Sequence, residues 1–364
     1  MQIRPDHLAT SLGRGLQRLY TVHGDEPLLA QEAGDAIRAA ARAQGYTERT
    51  VHTVLGARHD WGEVLAAGSA MSLFADRQLI EIRIPGGKPG KEGSEALQRY
   101  CEALAEDTLT LVQLPRLDGT QLKSAWFNAL DAAGVTVRVD PIERRALPQW
   151  LAQRLSAQGQ RVKEGEEGQR TLAFFADRVE GNLLAAHQEV QKLGLLFPAG
   201  ELGFEQVESA VLNVARYDVF KLGEAVLAGQ VARALRMLEG LQAEGEAAVL
   251  VHWTLAEDIR VLRRVKEAVT QGRPLPMALR ENRVWGVKEK LYERVLPSLN
   301  ESALARLLDA AQACDGLVKG LRHPQWPSEP WDALRRLVLM VAEAVQAGGS
   351  AATSRGPMRL ILSA

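Results

Sequence analysis

Two stretches of the chain carry residue types that could handle a phosphate or grip a partner. The first is Gly86-Gly87-Lys88-Pro89-Gly90-Lys91-Glu92, in a strand-to-helix loop where backbone amides can surround a phosphate and a Lys can reach its terminal oxygens. The full motif, Gly-x4-Gly-Lys-[Ser/Thr], fails at both ends: the first Gly position is Pro85 and the hydroxyl position is Glu92. A solvated Gly/Lys loop explains the stretch without a ligand. The step after the first strand, His23-Gly24-Asp25-Glu26-Pro27-Leu28, puts two carboxylates where phosphate would sit and offers no Lys. The second stretch is Ala70-Met71-Ser72-Leu73-Phe74-Ala75-Asp76-Arg77-Gln78, a short apolar turn between an amphipathic helix and a strand. Leu73 and Phe74 are large, apolar and adjacent, so they cannot both face inward on a regular helix or strand, and one should be presented outward. The alternative is that the pair closes the core at a helix end.

Other catalytic constellations are missing. Thr108 to Leu114 runs into Val112-Gln113-Leu114-Pro115-Arg116, without the acidic pair that would hold a metal at the end of an ATPase strand. There is no Gly-x-Ser-x-Gly elbow, and the 7 histidines, at 7, 23, 52, 59, 187, 252 and 323, show no ligand spacing. Cys101 and Cys314 have no Cys-x-x-Cys companion, which fits a reducing cytoplasm and suggests neither a disulfide framework nor a zinc site. No cofactor is expected.

The elements that position these stretches follow from periodicity. Gln17 to His23, Thr50 to Leu55, Arg77 to Ile84, Thr108 to Leu114 and Val135 to Val139 read as strands alternating with helices, the pattern of an α/β layer with parallel strands. The helix from Glu26 to Gln44 carries the stripe Leu29, Ala33, Ala36, Ile37 and Ala40, with Gly24-Asp25 as its cap. In Arg77 to Ile84, Leu79, Glu81 and Arg83 alternate with Ile80, Ile82 and Ile84, predicting a strand with one polar-leaning face near an edge. Pro141 breaks the pattern. From Arg144 strand signals largely vanish and helices follow to about Val345, including Leu147 to Ala157, Gly168 to Val179, Asn182 to Leu196, Phe204 to Val211, Val219 to Ala228 and Val231 to Gln242. A length of 364 residues suggests two or three domains at roughly 150 residues each. The expected division is 1–140 α/β, 141–211 a small helical domain, 212–345 a larger helical domain and 346–364 a flexible Gly/Ser/Pro tail. Net charge is −1, from 44 Lys and Arg against 45 Asp and Glu, so any anionic partner must be met locally. Met1 to Asp6 has no apolar h-region and no long uncharged apolar run follows, which predicts neither export nor a membrane span.

Three phrases in order carry a resemblance. Leu19-Tyr20-Thr21-Val22-His23-Gly24-Asp25-Glu26-Pro27-Leu28-Leu29, the segment Ala70 to Gln78 preceded by Trp61, and Glu180-Gly181-Asn182-Leu183-Leu184 followed by Glu189-Val190-Gln191-Lys192-Leu193 are similar to the bacterial DNA polymerase III delta-subunit family. The resemblance runs from about Leu19 to about Val345. It implies an N-terminal AAA+-like domain without a functional P-loop, a helical lid and an all-α collar. It further implies that Leu73 and Phe74, with Met71 and Ser72 shaping the approach, insert into a pocket on the sliding clamp and that the subunit opens the ring. The collar would join the ATP-binding tau/gamma subunits and delta prime around primed DNA, with ATP hydrolysed by those partners. Asp76 and Arg77 could reach the clamp or form a solvated pair. Gly24 and Gly181 sit where helices begin, capped by Asp25 or Asn182.

Thr254 to Arg294 holds ten Lys or Arg against six Asp or Glu, with Arg260, Arg263, Arg264 and Lys266 close together. This segment is a candidate for phosphate or subunit contact, against a solvated helix face. Trp326, in His323-Pro324-Gln325-Trp326-Pro327, could stack on a base or pack under its own loop. The rival readings are a delta-prime-type stator, disfavoured by the missing cysteine cluster and Ser-Arg-Cys motif, and a divergent P-loop ATPase using the Gly86 to Lys91 loop.

Overall fold

The computed structural model describes residues 1–56, 59–69, 77–212 and 214–347. They fall into two compact units, Met1–Ala176 with Leu183–Val211, and Asp177–Asn182 with Leu212–Ala364.

The first unit opens with β1 (Gln2–Ile3), α1 (Leu8–Gly13), β2 (Leu19–Gly24), α2 (Pro27–Ala43), β3 (Glu48–Thr53), α3 (Trp61–Ser69), β4 (Gln78–Arg83), α4 (Gly90–Glu102), β5 (Thr108–Leu114), α5 (Ala125–Ala133) and β6 (Val135–Val139). Six parallel strands line up in the order β1-β6-β2-β5-β4-β3. Strands β2, β4 and β5 are buried on both faces, so they read as near-continuous apolar runs, whereas β3 alternates as an edge strand does. Ile80, Ile82, Val112 and Leu114 join Trp61, Val64, Leu97, Tyr100 and Phe127 in one core cluster under α3, α4 and α5. The period of two turns Leu79 and Glu81 to the other face, toward α2.

The polar-leaning face expected for β4 is a buried charge cluster. The Glu81 side chain is fully buried and is held by Arg38 of α2 at 2.7 Å, Arg49 of β3 at 2.6 Å and Arg83 at 2.9 Å. Burial pushes the Glu81 carboxyl up, and the hydrogen bonds from Arg38, Arg49 and Arg83 outweigh it to hold the group at about 2. On α2 the buried line is Leu29, Ala33, Ile37 and Ala41 with Leu28, while Ala36 is exposed and Ala40 half-buried. The face follows a four-residue spacing, from which the expected stripe departs at Ala36 and again at Ala40.

The unit continues through α6 (Leu147–Ala157), β7 (Gln160–Val162), α7 (Gly165–Val179), α8 (Leu183–Leu196), β8 (Gly200–Leu202) and α9 (Phe204–Ala210). The parallel pair β7 and β8 was not expected from the sequence. Each strand is three residues long, too short for a period to register. The buried amide of Gln160 ties β7 to the end of α8, donating to the carbonyls of Leu193 at 3.0 Å and Phe197 at 2.9 Å.

The second unit is helical: α10 (Val219–Leu227), α11 (Val231–Ala243), α12 (Ala248–Thr270), α13 (Leu275–Glu281), α14 (Val287–Val295), α15 (Glu301–Val318) and α16 (Pro330–Ala347). Their apolar stripes meet in two clusters, one around Leu222, Leu238, Leu255, Cys314 and Leu337, the other around Leu262, Leu279, Tyr292 and Leu304. The corner Asp177–Asn182 packs here. The amides of Val214 and Arg216 donate to the carbonyls of Arg178 and Glu180, both at 2.8 Å, and the Glu180 carboxylate takes the Arg233 guanidinium.

The glycines read as helix starts precede α2 and α8 and have a further role. Gly24 has φ of +152°, and a Cβ there would lie 1.7 Å from the Val139 carbonyl oxygen; at Gly181, with φ of +77°, it would lie 1.9 Å from that of Arg216. Both admit a neighbouring backbone. The N-cap of α2 is Glu26, with no side-chain cap, and the Asn182 amide donates to the Val214 carbonyl at 3.1 Å.

Because the Glu81 pKa is depressed, its contribution is present above its ordinary range near 4.5 and is lost as pH falls through about 2. Wild type should lose on the order of 3 kcal/mol across that window. Glu81→Gln should be destabilised at neutral pH, and its gap from wild type should narrow as the pH drops. Denaturant melts at several pH values check this, and a gap constant down to pH about 2 would refute the buried-charge account.

Candidate functional site

Met71, Ser72, Leu73 and Phe74 lie outside the described residues, as does Asp76; the elements on either side are described. Upstream, the Asp60 carboxylate accepts the Gly62 amide at 2.8 Å at the start of α3. Trp61 and Val64 are buried against α4. Two glycines set how closely these helices approach. A Cβ on Gly93 of α4 would lie 2.5 Å from Trp61 Cζ2, and one on Gly68 of α3 would lie 2.3 Å from Tyr100 Cε2. Tyr100 in turn shares a 2.8 Å hydrogen bond with Thr110 of β5, and burial pushes its hydroxyl up to about 12. Thus α3 is keyed to α4 by reciprocal glycine–aromatic contacts, and α4 is keyed to the sheet.

Downstream, the chain is fixed at Arg77 and Gln78. The Arg77 guanidinium donates to the Gln44 carbonyl at 2.8 Å and lies 5.5 Å from the centre of the Tyr46 ring, in the turn after α2. It is therefore bonded into its own fold. The Gln78 amide nitrogen donates to the Ala67 carbonyl and to Thr108 Oγ1, both at 3.1 Å, while its backbone amide donates to the Asp107 carbonyl at 2.9 Å. The beginning of β4 is thereby tied to the last turns of α3. Sequence reasoning missed these contacts. The available signal was a Gly inside each of two helices, which costs about 1 kcal/mol relative to Ala and so marks close packing.

Two loops at the carboxyl ends of the strands bear on phosphate binding. Strands β2, β5 and β6 are neighbours, and beyond the carboxyl ends of β2 and β5 Asp25 is paired with Arg116 at 3.0 Å. Burial raises the Glu26 carboxyl and lowers the His23 imidazole, so each shift works against the charged form, the anion of Glu26 and the cation of His23. The Gly86 to Glu92 loop follows β4, and the Gly87 carbonyl accepts the Gln121 side-chain amide at 2.9 Å. Among the described residues, no group of three or more His, Cys, Asp or Glu could hold a metal ion, and no helix is long and apolar enough to cross a membrane.

In the helical unit the basic segment is internally paired. Arg260 and Arg264 share Glu257 at 3.0 and 2.9 Å, Arg263 pairs with Glu267 at 2.6 Å, and Lys266 donates to the Leu296 carbonyl at 2.9 Å. Beside Arg264, a cavity of about 530 Å³ holds the half-buried Lys288–Asp258 pair (2.6 Å) and the Tyr292 hydroxyl, with Trp285 at its lip. Trp326 packs on the helical core with the Arg336 guanidinium 4.5 Å over its ring, so its loop packs on the domain that carries it.

The family model for DNA polymerase III, delta subunit, matches residues 20–140. The DNA polymerase III subunit delta of Escherichia coli K12 is 32% identical over 304 residues, 84% of this chain and 87% of that protein. That of Haemophilus influenzae Rd is 26% identical over 351 residues, 93% of this chain and 99% of that protein. Among solved structures, the DNA clamp loader delta protein of Bacillus subtilis matches with a TM-score of 0.50 at 17% identity, over 93% of this chain and 99% of that one. The parallel-sheet α/β layer followed by helices is thus a shared fold.

Gly93→Ala should force Trp61 or α3 to shift. Overpacking costs about 1–3 kcal/mol, partly offset by the better helix propensity of Ala. Thermal melts followed by circular dichroism should show the loss, and it should shrink in a Trp61→Phe background, whose ring lacks the clashing indole atoms. Equal losses in both backgrounds would mean that Gly93 does not set the α3–α4 approach.

Proposed function

The chain belongs to the DNA polymerase III delta-subunit family, and from that premise we propose that it binds the sliding clamp through Leu73 and Phe74 and opens one interface of the ring for loading on primed DNA. The observation that carries the reading is the 32% identity over 304 residues to a delta subunit. The Leu-Phe pair lies inside a segment whose two flanks are pinned to the α/β unit. Burying a Leu and a Phe supplies roughly 1.5–3 kcal/mol each, so a pocketed pair contributes on the order of 3–6 kcal/mol and can dominate the contact. Met71 and Ser72 shape the approach. Ring opening then follows from differential affinity: the subunit must bind the open clamp better than the closed one.

On the same reading residues 1–140 hold the clamp, 141–211 form the lid, and 212–345 join a collar with the tau/gamma subunits and delta prime in the cytoplasm. ATP is hydrolysed by those partners, and the Asp25–Arg116 pair supports a subunit that holds no nucleotide of its own. Arg260, Arg263, Arg264, Lys266 and Trp326 remain candidates for DNA or subunit contact. For the three arginines, paired with Glu257 and Glu267, such contact exchanges one counter-charge for another. The rival ATPase would announce itself as nucleotide affinity abolished by Lys91→Ala.

Leu73→Ala/Phe74→Ala should weaken binding to the cognate clamp by roughly two to four decades with an unchanged circular dichroism spectrum. Undiminished binding would move the contact elsewhere, and joint loss of fold and binding would return the pair to the core.

A further inference from the structure

We infer that a cavity at the β1 end of the sheet binds a diphosphate group, either free pyrophosphate or the diphosphate of a nucleotide. The cavity measures about 720 Å³, within the range of small-ligand pockets, and lies inside the first unit among β1, α1 and β6. Three guanidiniums line it, Arg4 after β1, Arg14 after α1 and Arg138 of β6, and among the described residues no Asp or Glu does. In a chain of net charge −1 such an excess is local. The counter-charges outside the cavity hold it weakly: Arg138 meets Asp140 at 3.0 Å and Arg4 meets Asp6 only at 3.9 Å, with all four side chains more than half exposed. Arg14 is exposed and, among the described residues, has no carboxylate paired with it. An arriving anion therefore displaces little.

The neighbouring cavity, of about 490 Å³, marks the contrast. It shares Arg4 and Arg138 but adds Asp6, Glu32 and Asp140 to its lining, and its own Arg154 is already held by Glu32 through two contacts of 2.6 Å. Cations and carboxylates balance there, whereas in the larger cavity the cations are left over. Guanidinium forks pair two-by-two with phosphate oxygens, and a diphosphate has oxygens enough for three forks where a carboxylate has two. The hydroxyls of Thr10 and Ser11 add donors, and Ile3 and Val135 supply an apolar wall for a nucleoside. None of the lining belongs to the β2–α2 turn, where Asp25 is paired with Arg116. The site is independent of the proposed clamp contact: β1 stands at the opposite end of the sheet from β4 and β3.

The test is isothermal titration calorimetry of the full chain with pyrophosphate and with ADP, in the absence of divalent cations, with circular dichroism melts of every variant. Wild type should bind at a single site, more weakly as salt rises. Arg14→Ala and Arg138→Ala should each weaken binding by about tenfold, the loss of one charge-assisted contact, with little change in melting temperature. Arg14→Lys, which keeps the charge and loses the fork, should fall between wild type and Arg14→Ala. Tighter binding of ADP than of pyrophosphate would support the inference with a nucleotide as the source, and equal or weaker binding of ADP would support it with free pyrophosphate. Binding of neither anion would overturn it. So would binding that Arg14→Ala and Arg138→Ala leave intact, or binding abolished by Lys91→Ala, since the ligand would then sit elsewhere. Should Arg138→Ala fail to fold, the two variants of the exposed Arg14 decide.

Discussion

A carboxylate with no access to water organises the outer half of the sheet. Glu81 sits in β4, one strand in from the edge, and an isolated charge there would cost several kcal/mol to bury. Its three arginines come from α2, β3 and β4 itself, so neutralising it brings a helix and the edge strand onto β4 in one register. An apolar residue at position 81 would pack against α2 without selecting that register, because hydrophobic contact is non-directional. The charge cluster therefore supplies direction where the core supplies affinity. Gln78 lies three residues earlier on the same strand, on the opposite face with Ile80 and Ile82, and bonds to Ala67 of α3 and Thr108 of β5.

The opposite face of β4 meets the other flank. There Ile80 and Ile82 face a core built from large rings, Trp61 and Tyr100, and the helices bearing them approach closely because the residues opposite the rings are glycines. A glycine–aromatic key behaves differently from a leucine–leucine contact. It leaves few alternative rotamers and little room to slide, which suits a support better than a hinge. Strand β4 is thus held by two unlike devices, a buried ion cluster on one face and a core of ring-on-glycine packing on the other.

How much of this was legible depended on whether an interaction left a periodic trace. Thr108–Leu114 and Val135–Val139 were readable to the residue because continuous apolar, β-rich runs mark strands buried on both faces. Strands β7 and β8 were not, since three residues carry no period. Glu81 was read as a polar-leaning face because alternation reports which residues share a side and not whether that side is wet. Gly24 and Gly181 were read from the helix starts that follow them, and the close backbone approach each one admits was not. Capping is a local rule visible in sequence, whereas the approach of Val139 or Arg216 is a tertiary event more than thirty residues away. The arginines of α12 looked like a basic surface in a one-dimensional count. Their pairing with Glu257 and Glu267 follows from helix geometry at three-, four- and seven-residue spacing.

The β2–α2 turn shows how a fold suited to phosphate can be turned from it by few changes. Parallel strands with helices between them leave a crevice at their carboxyl ends, and a helix N-terminus there attracts anions. Here Asp25 and Glu26 precede the α2 N-terminus, and Asp25 already has a cation in Arg116. An anion arriving at that N-terminus would meet the Asp25–Arg116 pair and the Glu26 side chain. For a subunit proposed to open a ring, this has a thermodynamic consequence. A delta subunit that works without a nucleotide of its own would have no internal ligand to shift its conformational equilibrium. Any ATP-dependent change in its hold on the clamp must come from contacts with partners that differ in affinity for its two states.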